Sequence, residues 1–385
     1  MEGRNEFIDR WSGKQETIKD LCEWFGISRK TGYKWIHRYD EGGREALADR
    51  SRAPHHHPQQ IETKRAAAII GARQQHPSWG ARKLLNLLEE QKPSQNWPAA
   101  SSIGELLKRE GLIVARRKRQ RTPPYTQPLA HAQAPNQVWC ADFKGWFRCQ
   151  DGERCDPLTI TDAYSRYLLR CRVVGKTDGI HVRGIFEAVF RECGLPEAIR
   201  TDNGAPFASP APGGLSRLSM WWLKLGIRHE RIEPGCPEQN GRHERMHRTL
   251  KAETANPPAA NVGRQQVRFL EFEREYNELR PHQALSYQKP AELYVGSLRR
   301  YPVRLPELEY PSGVHLRRIS QQGSLKWKCE RTFLSQVLAR ETVGLLEVEE
   351  ELFEVYYGPV MLGWFDGRHA TFVAEALHKK RRRPH

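Results

Sequence analysis

The stretch at residues 137–145, which reads QVWCADFKG, decides the fold of the central part of the chain. Its apolar residues predict a β-strand, and Asp142 lies inside that strand. A carboxylate in an apolar strand is costly in free energy unless it is paired or binds a metal ion. We therefore take Asp142 as a candidate catalytic and metal-binding residue.

Outward from this strand, the sequence predicts an α/β domain. Its elements follow in the order strand 158–162, strand 167–174, helix 179–193 and strand 198–201. This order predicts a mixed sheet flanked by helices. The last strand ends at Asp202, where α/β sheets place their sites, so that Asp142 and Asp202 are expected to converge on a divalent cation. Asp162 is either a further acid of this site or a turn residue.

Two glutamates compete to be the third carboxylate. Glu238 follows a Pro-Gly-Cys-Pro segment that is typical of a loop, whereas Glu244 begins a predicted helix at residues 244–251. On that helix Glu244 shares a face with Arg248 and Lys251, at positions i, i+4 and i+7. We favour Glu244, because one face then offers a metal-binding carboxylate beside two cations for DNA. The residues of this segment predicted to contact DNA are Asn240, Arg245, His247, Arg248 and Lys251; for His247, metal binding is the alternative.

The first part of the chain has the pattern of a helix-turn-helix. Residues 17–25 have apolar side chains at helical spacing, a Gly-Ile-Ser turn follows, and residues 29–39 form a second helix that Ser28 would cap. The second helix of such a motif enters the major groove of DNA. The basic residues predicted to contact DNA there are Arg29, Lys30, Lys34 and Arg38. A plain helical hairpin is the alternative interpretation.

Composition and pattern divide the chain into six segments. They are a first helix-turn-helix domain at 1–53, a second at 58–115, a basic Pro-rich linker at 116–136, the α/β domain at 137–295, a small antiparallel β-barrel at 310–376 and a basic tail at 377–385. The cations of the linker cannot pack in a core, and we expect them to lie along DNA phosphates. They are Arg116, Arg117, Lys118, Arg119 and Arg121.

Composition narrows the class of protein further. The 385 residues include 62 Lys and Arg against 46 Asp and Glu, a formal net charge of +16. More than half of this excess lies in residues 1–121, which indicates that this part binds a polyanion. No apolar run is long enough to span a membrane, and the first residues lack the apolar core of a secretion signal. We therefore expect no membrane association and a cytoplasmic, nucleoid-associated chain.

Together these motifs resemble a known family. Asp142 in WCADFKG, Asp202 in RTDNGAPF and Glu244 in PGCPEQNGRHERMHRTLK are similar to the Asp-Asp-Glu triad of transposases related to retroviral integrases. The similarity continues through residues 276–292, and the tandem helix-turn-helix units resemble those of bacterial insertion-sequence transposases. The resemblance covers roughly residues 15–295.

This resemblance implies an RNase H-like integrase catalytic core at residues 137–295, in which the triad holds two Mg²⁺ (or Mn²⁺) ions. A transposase of this type would bind double-stranded DNA at terminal inverted repeats, cleave at the element ends and join the 3′-hydroxyl ends to target DNA. It would act as a homo-oligomer, a dimer or a tetramer. An RNase H-type nuclease without strand transfer is one alternative, and a DNA-binding regulator derived from a transposase is another.

Overall fold

The computed structural model describes residues 2–14, 16–49, 60–113, 131–233 and 241–374. The chain divides into two compact units, Met1–Glu62 and Thr63–His385. Among the described residues, no helix is both long enough and apolar enough to cross a membrane. Several predicted features lie outside the described residues: the cations Arg116, Arg117, Lys118, Arg119 and Arg121, the residues Asn240 and Glu238, and the tail at 377–385.

The first unit is a small helical domain. Its helices are α1 (Glu2–Ser12), α2 (Ile18–Trp24) and α3 (Arg29–Gly42). The turn between α2 and α3 contains Gly26 at φ +60°. Ser28 caps the start of α3, and its side chain accepts a hydrogen bond from the backbone N–H of Thr31 at 3.2 Å. The buried core consists of Phe7, Ile8, Leu21, Cys22, Ile36 and Leu47. The predicted helix-turn-helix is confirmed, because α2, a glycine turn and α3 pack around one apolar core.

Three further helices open the second unit. They are α4 (Thr63–Gln75), α5 (Ala81–Gln91) and α6 (Ala100–Arg109). On α5 and α6, leucine and isoleucine recur at helical spacing and are buried, which holds the three helices together. The guanidinium of Arg73 on α4 donates hydrogen bonds to the carbonyl oxygens of Trp79 and Leu112, so the loops at both ends of this helical group are tied to α4.

The centre of the second unit is a five-stranded mixed sheet. Its strands are β1 (Val138–Phe143), β4 (Pro157–Asp162), β5 (Leu168–Val173), β6 (Ala198–Thr201) and β7 (Arg228–Arg231), and a hairpin of β2 (Phe147–Arg148) and β3 (Arg154–Cys155) follows β1. The strand order is β5-β4-β1-β6-β7. The pairs β5-β4 and β4-β1 are antiparallel, and β1-β6 and β6-β7 are parallel. The predicted mixed sheet is therefore confirmed.

Helices cover both faces of this sheet. They are α7 (Gly179–Cys193), α8 (Arg217–Lys224), α9 (Gly241–Thr254), α10 (Val262–Arg274) and the short α11 (Pro290–Leu293). On one face, Trp139, Ile160 and Ile199 of the strands form a core with side chains of α7 and α8. On the other face, α10 lies along β5, where the side-chain amide of Gln266 accepts from the N–H of Val173 and donates to the C=O of Cys171.

The last part of the chain is β-structure, as its alternating pattern predicts. Its strands are β8 (His315–Arg318), β9 (Ser324–Trp327), β10 (Glu330–Phe333), β11 (Thr342–Glu349), β12 (Leu352–Tyr357), β13 (Val360–Asp366) and β14 (Thr371–Ala374). They form an antiparallel sheet in the order β14-β13-β12-β11-β8 and a separate hairpin of β9 and β10. The predicted closed barrel is not confirmed, because no ladder among the described strands joins the two edges of the sheet through the hairpin.

This C-terminal sheet shares its core with α8. Leu215, Met220 and Leu223, which lie on α8 or just before it, belong to the same buried cluster as Phe353 and Phe365 of the sheet. An ion pair of 2.7 Å between the Lys224 ammonium and the Glu341 carboxylate lies beside this core. The sheet is therefore packed onto the α/β domain through apolar side chains from both.

Candidate active site

Asp142 and Asp202 lie at the ends of two neighbouring parallel strands. In the ladder between β1 and β6, Cys140 pairs with Arg200. Asp142 and Asp202 each lie two residues beyond this last recorded pair, and Asp202 directly follows the last residue of β6. The two acids therefore lie at one edge of the sheet, at the same end of two neighbouring strands, whose usual spacing is about 4.8 Å. Both residues are partly exposed, so a ligand can reach them.

Thr159 connects the strand of Asp142 to helix α9. It pairs with Asp142 across the antiparallel ladder of β1 and β4, and its hydroxyl donates to the backbone C=O of Asp142 at 3.0 Å. The same hydroxyl oxygen lies 2.6 Å from Nε2 of His243 and 2.6 Å from Nε2 of His247. Since the hydroxyl has one proton, which goes to the carbonyl, both rings donate their Nε2–H to it. One buried hydroxyl thus fixes two turns of α9 to β4.

The two histidines are neutral in this setting. Burial lowers the pKa of His243 to about 3 and the pKa of His247 to about 2, and in His247 the His243 and Lys144 side chains add to this lowering. Nδ1 of His243 also lies 3.2 Å from the hydroxyl of Thr161, two residues along β4. The sequence reasoning missed this network, although alternate threonines on one strand and histidines four apart on a helix are a signal for it.

The orientation of α9 determines where Glu244 points. His243 and His247 face β4, and Met246 and Leu250 pack with side chains of α10. Successive residues of a helix are about 100° apart, so Glu244 lies outside the stripe that faces β4 and α10. It lies in the first turn of α9 and is exposed. The carboxylate is therefore accessible to a ligand and is not used in the packing of α9.

Two lysines lie near this edge. Burial is the main cause that lowers the pKa of Lys144, the nearby ammonium of Lys251 lowers it further, and the carboxylate of Asp142 acts in the opposite direction. Lys144 follows β1 directly, and Lys251 lies on α9 seven residues after Glu244. The edge therefore combines carboxylates with cations that are suited to holding a phosphate backbone.

The chemistry of these acids fits a hard divalent cation. Carboxylate oxygens are the ligands that Mg²⁺ and Mn²⁺ prefer in proteins. Among the described residues, however, no group of three or more His, Cys, Asp or Glu side chains lies close enough together to hold a metal ion. Asp142 and Asp202 thus lie at the same end of two neighbouring strands and Glu244 is exposed in the first turn of α9, but among the described residues the three do not form a metal-binding cluster.

Asp162 is a turn residue. Its carboxylate accepts hydrogen bonds from the backbone N–H of Asn136 at 2.8 Å, the backbone N–H of Ser165 at 2.8 Å and the hydroxyl of Ser165 at 2.6 Å. It pairs with Trp139, three residues before Asp142 along β1, so it lies about 10 Å from Asp142 along the strand. Of the two interpretations of Asp162, the structure supports the turn.

The prediction that His247 contacts DNA is wrong for this structure. Its ring is buried and engaged by Thr159, so it presents no surface to a ligand. The other predicted DNA contacts within the described residues lie on helix surfaces. Arg245, Arg248 and Lys251 are exposed on α9, and on α3 Arg29, Lys30 and Lys34 are exposed while Arg38 is half-buried.

The sheet order, the paired carboxylates and the helix-turn-helix define an integrase-like core attached to DNA-binding helices. The sequence matches the description "Integrase core domain" at residues 132–237 and again at 225–290. It also matches "Helix-turn-helix domain" at residues 4–55 and "Homeodomain-like domain" at 31–107.

Two proteins of bacterial insertion elements show the family to which the chain belongs. The chain is 30% identical over 229 residues to the insertion element IS407 uncharacterized 31.7 kDa protein of Burkholderia multivorans, which covers 59% of this chain and 79% of that protein. It is 30% identical over 230 residues to the insertion element IS476 uncharacterized 39.2 kDa protein of Xanthomonas euvesicatoria, covering 59% and 63%. The chain belongs to the DDE-type insertion-sequence transposases with an integrase-like core.

Solved integrase structures are also similar to part of the chain. The HTLV-2 integrase catalytic core domain in complex with magnesium covers 42% of this chain and 98% of its own length, at 16% identity and a TM-score of 0.34.

Proposed function

We propose that this chain binds the terminal inverted repeats of its mobile element, cleaves at the element ends and joins the 3′-hydroxyl ends to target DNA. In this proposal Asp142, Asp202 and Glu244 are the catalytic triad. The observation that supports it most is the parallel pairing of β1 and β6, because Asp142 and Asp202 lie at the same end of these two neighbouring strands. A regulator that only binds DNA has no use for acids in this position.

The triad would hold two divalent ions, Mg²⁺ or Mn²⁺. When bound between carboxylates, such ions activate the attacking oxygen and stabilise the leaving oxygen of a phosphodiester. The fit rests on the donor set, which is oxygen only. Glu244 would supply the third carboxylate from the first turn of α9.

The histidines act as positioning residues in this proposal. The Nε2–H groups of His243 and His247 donate to Thr159, which is the cross-strand partner of Asp142. This contact sets the height and rotation of α9 relative to β1, and therefore the distance from Glu244 to Asp142. Lys144 and Lys251, at the same edge, would bind the backbone phosphates of the strand that reacts.

DNA recognition is assigned to the N-terminal helices. Helix α3 has the place of a recognition helix and carries exposed Arg29, Lys30 and Lys34. The helices α4 to α6 would form the second DNA-binding unit. We further propose a homo-oligomer on DNA, because two element ends must be joined to one target and each core has one set of three acids.

The test is a joining assay with the full chain, a duplex carrying one element end, and a target plasmid. In Mg²⁺ or Mn²⁺ the wild type should join the end to the target, and EDTA should abolish joining. Each of Asp142→Asn, Asp202→Asn and Glu244→Gln should reduce joining by about 10³-fold or more, because each removes a carboxylate that would hold the divalent ions whose charge stabilises the transition state. Binding to the element end, measured by gel shift, should not change.

Glu238→Gln is the matched control. It should join like the wild type; if it is inactive and Glu244→Gln is active, the third carboxylate is Glu238. If the wild type cuts the duplex but never joins strands, the chain is a nuclease of the RNase H type. If the wild type binds element ends but neither cuts nor joins, the regulator is the correct interpretation.

A further inference from the structure

A strongly basic cavity lies beside α9, and its lining includes none of the three carboxylates Asp142, Asp202 and Glu244. It has a volume of about 580 Å³, within the usual range of roughly 300–1,000 Å³ for ligand sites. Its walls come from α5, the turn between β4 and β5, α9 and the segment after α10. The cations that line it are Lys83, Arg166, Arg242, Arg245, Arg248 and Arg280. The sequence predicted Arg245 and Arg248 as DNA contacts near one helix, but it gave no sign that the other four cations lie beside them.

The positive charge of this cavity is poorly balanced by the protein. Arg280 is buried and forms an ion pair of 2.7 Å with Glu253, which also accepts a hydrogen bond from the hydroxyl of Ser78. The other five cations of the cavity form no ion pair with a carboxylate in the described part of the chain. Arg242 donates a hydrogen bond to the carbonyl oxygen of Ala163, at 3.2 Å. Such a set of cations, held close together, attracts an anion with several oxygens.

Buried nitrogen atoms without hydrogen-bond partners also indicate that the cavity binds an anion. Nε of Arg166 and Nε2 of His282, from two lining residues, are buried and have no hydrogen-bond partner among the described residues. A buried polar nitrogen without a partner costs about 1–3 kcal/mol. Burial, followed by the charge of Arg280, lowers the pKa of Lys83 to about 8. An oxyanion between these groups would relieve both the repulsion and the missing hydrogen bonds.

We propose that this cavity binds a phosphodiester of the DNA backbone, at a site whose lining does not include the three carboxylates. Lys83 belongs to the helices α4 to α6, and Arg242, Arg245 and Arg248 belong to α9. One bound phosphate would therefore link the N-terminal helices of this unit to the helix that carries Glu244. The site rests on the proposed function only in taking DNA as the ligand, and a free inorganic phosphate has the same chemistry.

The first test compares two neighbouring cations of α5. Lys83 lines the cavity, whereas Arg82 is exposed and does not. Duplex binding by the full chain is measured in EDTA over a range of NaCl concentrations for the wild type, Lys83→Gln and Arg82→Gln. Loss of one phosphate contact lowers the slope of log K against log[salt] by about 0.9. We expect this drop for Lys83→Gln and an unchanged slope for Arg82→Gln; equal slopes for the two variants would overturn the proposal.

The second test needs no substitution in the cavity. Full-length Asp202→Asn protein is acetylated with acetic anhydride at pH 8 in EDTA, and mass spectrometry compares Lys83 with Lys92 at the end of α5. DNA should slow acetylation of Lys83 several-fold relative to Lys92, and inorganic phosphate should not. Equal protection by inorganic phosphate would assign the cavity to free phosphate, and no protection by either would refute it. Because no cutting occurs here, failure of the joining assay would leave this result intact.

Discussion

Removing the hydroxyl of Thr159 tests how helix α9 is held against the sheet. Thr159→Val keeps the shape of a fully buried side chain and removes its single oxygen atom. That atom accepts the Nε2–H groups of His243 and His247 and donates to the carbonyl oxygen of Asp142. The substitution therefore removes three hydrogen bonds between α9, β4 and β1 without leaving a cavity.

The expected loss follows from the groups left behind. Each buried polar group without a partner costs about 1–3 kcal/mol, so the two imidazole N–H groups together cost about 2–6 kcal/mol. Whole domains are stable by only about 5–15 kcal/mol. We therefore expect Thr159→Val to loosen α9 and to lower joining, with binding to element ends unchanged. Thr161→Val, which loses only the 3.2 Å contact with Nδ1 of His243, is the matched control and should cost about 1 kcal/mol.

Amide hydrogen exchange, read by mass spectrometry, measures this effect locally. Peptides from α9 should exchange faster in Thr159→Val, by a factor that corresponds to at least about 2 kcal/mol, while peptides from α3 should not change. The comparison with Thr161→Val separates the shared hydroxyl from a general loss of polarity on β4. If α9 exchanges at the wild-type rate in Thr159→Val, the hydroxyl does not hold the helix and our account of how Glu244 is positioned is wrong.

Two further predictions concern the same helix and the first unit. The low pKa values of His243 and His247 mean that the unfolded chain, with its histidines near 6.5, takes up protons that the folded chain does not. The free energy of unfolding is therefore highest above pH 6.5 and falls as the pH drops from about 6.5 toward 3. We expect the amides of α9 to exchange faster at pH 5 than at pH 7, after correction for intrinsic exchange rates. An unchanged rate would contradict this prediction. In α3, Gly32→Ala would place Cβ 2.6 Å from Sγ of Cys22, which should destabilise the first unit by about 1–3 kcal/mol and weaken end binding. Gly71→Ala, where nothing lies within 4 Å, is the control, and equal stability of the two variants would refute the clash.

Elements with complete local signals were predictable from the sequence. The helix predicted at residues 179–193 is observed as Gly179–Cys193, because Asp178 caps its start and Gly194, at φ +80°, ends it. The start of α3 after Ser28 was predicted in the same way, but the helix continues past the predicted end at residue 39 to Gly42, before Gly43. Capping side chains and left-handed glycines act within a few residues, so the sequence shows them directly.

Features that depend on distant partners were not predictable in the same way. No local pattern states that β6 pairs with β1 in parallel, and this pairing sets the register of Asp142 and Asp202. Alternation likewise predicts the C-terminal strands but not which edges meet, which is why barrel closure was not a sound inference. The signal for His247 was available: His243, Met246, His247 and Leu250 recur at helical spacing and form the buried stripe of α9. His247 was predicted to be an exposed DNA contact because histidine was treated as a polar surface residue, and the buried stripe was therefore missed.

The core shared by α8 and the C-terminal sheet has a mechanical consequence. Met220 and Leu223 fill the same apolar interior as Phe353 and Phe365, so the sheet cannot separate from the α/β domain without exposing that interior to water. The sheet is thus a rigid extension of the domain and not a module on a tether. A partner that bound the outer surface of this sheet would therefore also fix the orientation of the α/β domain and of its two aspartates.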